Sequence, residues 1–64
     1  MAALTILVID DMAAILKMLK KRLEQWGYHA MTAGSGEEGL KLALTESPDL
    51  ILLDVLMPRM KGRE

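Results

Sequence analysis

Apolar residues run from Leu4 to Ile9, interrupted only by Thr5, and again from Leu50 to Leu53. Both read as strands, and the first, rich in β-branched residues, as one covered on both faces, as in parallel sheets. After Met12 the period changes. Leu16, Leu19, Leu23 and Trp26 recur at steps of three and four, and Lys17, Lys20, Lys21, Glu24 and Gln25 fall mostly between them. That is an amphipathic helix, expected over 12–26 and ended by Gly27. A less apolar strand is expected over 28–33. Ser35 and Glu38 then form a capping-box pair, in which the Ser35 hydroxyl accepts from the Glu38 amide and the Glu38 carboxylate accepts from the Ser35 amide. The second helix is expected over 36–46, with an apolar stripe of Leu40, Ala43 and Leu44, and it closes at Ser47-Pro48 because the residue before a proline is pushed out of helical geometry. The last strand is expected over 49–54, with the first at 4–9.

The resulting order is strand, helix, strand, helix, strand, with no linker or low-complexity stretch. Helical connections imply parallel neighbours, and such crossovers are right-handed in nearly all cases. If the chain moves one way from the first strand and then returns past it, handedness puts the helices on opposite faces. A three-layer α/β fold with strand order 2-1-3 follows. In that order the first and third strands are neighbours, and Asp10, Asp11 and Asp54 meet where their carboxyl ends emerge, at the point where the topology reverses. Three carboxylates at one sheet edge suit a hard divalent cation and phosphoryl chemistry.

Composition narrows the picture. The 64 residues make at most one domain, and a chain of this size hides only about 60% of the surface its unfolded form exposes. There is no cysteine, so neither a disulfide nor a thiolate metal site can strengthen the fold. Trp26 and Tyr28 are the only aromatic residues, which makes the core aliphatic. Eight basic and nine acidic residues nearly cancel, which argues against a chain built as a whole to grip nucleic acid or an anionic membrane. No apolar stretch reaches membrane-spanning length, and the amino terminus lacks the basic region and apolar core of a secretory signal. The expected location is the cytoplasm.

Val8-Ile9-Asp10-Asp11, then Asp49-Leu50-Ile51-Leu52-Leu53-Asp54, then Met57-Pro58-Arg59-Met60-Lys61-Gly62 resemble the receiver domain of bacterial response regulators. The resemblance covers the whole chain, and the joint order and spacing of these short motifs are specific. It implies a flavodoxin-like fold and a phosphoacceptor role: Asp54 takes a phosphoryl group from a histidine kinase. Mg²⁺ would be held by Asp10, Asp11, Asp54 and the backbone carbonyl of Leu56. A carboxylate attacks a phosphoryl donor poorly because both are anionic, and a cation between them offsets the repulsion. Mg²⁺ keeps several waters, which suits Asp11 and Asp54 as direct ligands and Asp10 as a ligand through water. Receivers normally continue with two further strand–helix units that supply a Ser or Thr and a Lys to the phosphoryl group. Neither can be assigned before Glu64, and Lys61 lies in the wrong place to substitute. The expectation is the amino-terminal part of a receiver, an acceptor without its switch.

Simpler roles exist for each residue. Asp11 can cap the helix beginning at Met12. Asp54 can punctuate a strand end before a proline turn. Lys17, Lys20, Lys21 and Arg22 read as a solvated helix face rather than a nucleic-acid patch, since no aromatic or glycine-rich element accompanies them. His29 opens a strand at the far end of the sheet, and Trp26, at that same end, reads as core. Gly34-Ser35-Gly36 lacks the lysine of a phosphate loop and reads as a turn. The first strand-to-helix turn carries Asp10-Asp11-Met12 where a dinucleotide or flavin binder would need glycines. The third strand's outer edge is expected to be bare, a template for a homodimer through strand pairing or segment exchange. A self-associating half-domain with a vestigial acidic site is therefore the alternative to a signalling phosphoacceptor.

Overall fold

The structure is a computed structural model in which residues 3–53 are described. Strand β1 (Thr5–Ile9) is followed by helix α1 (Ala13–Gln25), β2 (His29–Ala33), α2 (Gly36–Glu46) and β3 (Leu50–Leu53). The sheet order is β2-β1-β3, and both pairings are parallel. β1 is the central strand, and its apolar run is the best-buried segment: Ile6, Leu7 and Val8 are all buried. Strand side chains alternate between faces. Ile6, Val8 and Ala30 form one face, covered by Leu23 of α1 with Leu16, Leu19 and Leu52 packed around them. On the other face, Gly39 of α2 seats against Ile9.

Local chemistry explains where the elements stop. At the end of α1 the Tyr28 amide donates to the Leu23 carbonyl at 3.0 Å and the Gly27 amide to the Glu24 carbonyl at 3.1 Å. This is a Schellman ending, and Gly27 supplies the positive φ of 94° that it needs. It delivers Tyr28 directly to β2, where the His29 amide donates to the Leu4 carbonyl. α2 ends instead on Ser47, which takes a left-handed conformation (φ 47°, ψ 60°) before Pro48. The pre-proline restriction thus ends the helix, but through a left-handed residue rather than an extended one. Asp49 then fastens the start of β3 to the start of β1: its amide donates to the Thr5 carbonyl at 2.8 Å, and its Oδ2 accepts from the Thr5 amide at 2.7 Å.

Three expectations need correction. Trp26 is 64% exposed and does not belong to the core. It is the C-cap of α1, where the backbone has left helical geometry and the 3.6-residue period no longer dictates which way a side chain faces. Leu40 and Leu44 do not face the core either, being 61% and 74% exposed. α2 instead turns Gly39 inward, and with no side chain there the helix approaches Ile9 closely, which carries Leu40 to the flank. Leu40 and Ala43 there border an open apolar groove of about 410 Å³ shared with Ile9, Ile51 and Leu53. The capping box is half as expected. The Ser35 hydroxyl accepts from the Glu38 amide at 3.1 Å, but Glu38 Oε1 accepts from the amide of Gly34, one residue earlier than Ser35.

Candidate functional site

The carboxyl end of β1 carries the acidic pair. Asp10 is 5% exposed, an unusual degree of burial for a carboxylate, and it is held at both backbone and side chain. Its amide donates to the Ala33 carbonyl of β2 at 3.1 Å, and its Oδ1 accepts from the Met12 amide at 2.9 Å. An Asp bonded to the amide two residues ahead makes a local turn that satisfies a backbone donor at the helix entrance. The helix-entry role expected of Asp11 therefore falls to Asp10. The N-cap of α1 is Met12, which makes no side-chain capping bond, and α1 starts at Ala13. Asp11 is exposed.

β3 runs beside β1 in the same direction, with Ile6 opposite Leu50 and Ile9 opposite Leu53. The residue after Ile9 is Asp10, and the residue after Leu53 is Asp54. Asp54 and Leu56 themselves lie outside the described residues. Among the described residues, no group of three or more His, Cys, Asp or Glu side chains assembles to hold a metal ion. Asp10 and Asp11 provide two adjacent hard oxygen donors, a donor chemistry that fits Mg²⁺ rather than a soft metal.

The other residues weighed from the sequence lie elsewhere. His29 is exposed at the opposite end of the sheet, paired in register with Thr5. Lys17 and Lys21 border an exposed face of α1 with Ala13 and Met18, while Lys20 forms an ion pair with Glu24 at 2.8 Å, one helical turn along. Gly34 and Ser35 serve the start of α2. Sequence reasoning missed Gly39. An isolated glycine inside a helical pattern was the available signal, because glycine weakens a helix and tends to persist where something packs closely.

Comparison with known proteins fits the parallel arrangement. A family model described as "Response regulator receiver domain" matches residues 6–64. This chain belongs to that family. The alkaline phosphatase synthesis transcriptional regulatory protein PhoP of Bacillus subtilis is 52% identical over 59 residues, covering 92% of this chain and 25% of PhoP. The probable transcriptional regulator ycf27 of Guillardia theta is 46% identical over 57 residues, covering 89% of this chain and 22% of that protein. Among solved structures, the chemotaxis protein CheY4 of Vibrio cholerae superposes with a TM-score of 0.82 at 32% identity, covering 97% of this chain and 61% of that one. The chain thus spans about a quarter of the length of these curated relatives. Among the described residues, no helix is long and apolar enough to cross a membrane.

Proposed function

We propose that this receiver chain accepts a phosphoryl group on Asp54 from a phosphohistidine of a sensor kinase. In this reading Asp10, Asp11, Asp54 and the Leu56 carbonyl hold Mg²⁺. An Asp54 carboxylate oxygen forms the new P–O bond as the P–N bond of the donor breaks, and the imidazole leaves with the electron pair and takes up a proton. When bound, Mg²⁺ supplies the positive charge that offsets repulsion between the anionic acceptor and donor. Asp11, exposed at the edge, suits direct contact with the ion. Asp10, with Oδ1 tied to the Met12 amide, suits contact through water. The chain is on this view a phosphoacceptor rather than a turnover enzyme, and it acts in the cytoplasm.

The observation that carries the proposal is the parallel register of β1 and β3, Ile6 with Leu50 through Ile9 with Leu53, which has acidic residues following both strands. Incubation with acetyl phosphate and Mg²⁺ followed by intact-mass spectrometry tests it. One phosphate-sized adduct is expected on the wild-type chain and none on Asp54→Asn. An unmodified wild-type chain refutes the proposal.

One observation favours a second reading. β3 has β1 as its only partner among the described residues, and Leu50, Ile51 and Leu53 are all exposed. An apolar edge strand is a template for pairing. A homodimer joined through β3, with a non-signalling acidic site, would use it. Light scattering after gel filtration decides: a monomer at micromolar concentration removes this reading.

A further inference from the structure

Gly39 is the buried residue of α2 and lies over the last residue of β1. A Cβ added there would stand 2.7 Å from Ile9 Cγ1 and 3.5 Å from Ile9 Cγ2, and closer still to Cδ1, where real Cβ atoms essentially never approach within 3.0 Å. The same addition at Gly36, one turn earlier in the same helix, meets nothing within 4 Å. The helix therefore carries glycine, a poor helix former, at an interior position where Ile9 occupies the space a side chain would need.

Ile9 borders the open groove, but its branched side chain limits how it can yield. Its γ-carbons branch at Cβ, and side chains occupy staggered rotamers, so two of the three rotamers keep a carbon at the crowded position. Relief otherwise requires α2 to lift from the sheet or the end of β1 to shift. The next residue is Asp10, buried and fixed between the Ala33 carbonyl and the Met12 amide. A shift at Ile9 would thus reach a residue held at both its backbone and its side chain.

We infer that Gly39 is a positioning residue: by admitting the Ile9 side chain against α2, it sets the place of the Asp10 carboxylate at the acidic edge. The inference rests on the reading of Asp10 as part of a Mg²⁺ and phosphoryl site, and its test separates the two. The measurements are amide chemical shifts and hydrogen exchange of Asp10 and Met12 in ¹⁵N-labelled chain, and the Mg²⁺ dissociation constant titrated from those shifts. Gly39→Ala should lower protection of the Met12 amide, which reports the bond to Asp10 Oδ1. It should also weaken Mg²⁺ binding about tenfold, the usual lower size for a disturbed outer-shell partner. Gly36→Ala should leave both unchanged. In an Ile9→Ala background, adding Gly39→Ala should change neither quantity, because the obstructing atoms are gone.

A Gly39→Ala chain that melts earlier yet keeps its Asp10 and Met12 shifts and its Mg²⁺ affinity would reduce Gly39 to packing and overturn the inference. If Gly39→Ala does not fold, the Ile9→Ala pair still decides: any effect of Gly39→Ala there means the coupling does not run through Ile9. A wild-type chain that ignores millimolar Mg²⁺ defeats the phosphoacceptor reading, while the amide data still judge Gly39.

Discussion

Replacing Asp10 by alanine and by asparagine separates the two roles of its carboxylate. The side chain is buried and its Oδ1 accepts from the Met12 amide at 2.9 Å. Alanine removes that acceptor and leaves a partly buried donor unpaired, at a cost of about 1 to 2 kcal/mol. For a domain of this size that bond alone is worth roughly 4 to 16 °C of melting temperature. Asparagine keeps the oxygen and removes the charge. Like charges on neighbouring side chains repel, so losing one charge beside Asp11 removes that repulsion from the metal-free site. Without Mg²⁺, Asp10→Asn should therefore melt no lower than wild type, and Asp10→Ala clearly lower than Asp10→Asn. Mg²⁺ at ten times its dissociation constant should add about 1.4 kcal/mol to the wild-type chain by linkage, and less to either variant. Circular dichroism melts with and without the ion read all of these. Equal melting of the two variants without Mg²⁺ would show that the bond to Met12 contributes nothing, and equal Mg²⁺ shifts in wild type and Asp10→Asn would remove Asp10 from the site.

Four further outcomes are expected. Asp54→Asn should show a smaller Mg²⁺-induced rise in melting temperature than wild type, and equal rises would count against Asp54 as a ligand. Leu23→Ala, in the core under α1, should cost about 2 to 5 kcal/mol of the roughly 3 to 10 kcal/mol expected for such a chain, and an unchanged urea midpoint would show that Leu23 is not part of the core. Leu44→Ala, on the exposed flank, should stay within about 0.5 kcal/mol in urea melts, and a larger loss would mean that this flank is covered in solution. Ser35→Ala should cost about 1 kcal/mol by removing the acceptor for the Glu38 amide, and an unchanged urea midpoint would show that this cap carries no weight.

The layered α/β arrangement was legible because it depends on period and chirality, which are local or general. The change from an unbroken apolar run to three-and-four spacing marks where β1 gives way to α1. Right-handed crossovers then leave few orders for three strands, and the order β2-β1-β3 is the one observed. Gly27 at the end of α1 and Ser35 at the start of α2 were readable for the same reason, since each acts on backbone groups a few residues away.

What the sequence by itself determined, then, was the set of elements, their parallel order, and the chemical kind of the residues that follow β1. Tertiary structure alone decided which residue of each pair does the work: Asp10 rather than Asp11 takes the Met12 amide, Gly39 rather than Leu40 meets the sheet, and Trp26 turns to solvent. The physical reason is that periodicity fixes a face only to within a residue or so. The final choice is made by which atoms can approach without overlap once helix and sheet are pressed together, and a missing Cβ at Gly39 outweighs two leucines.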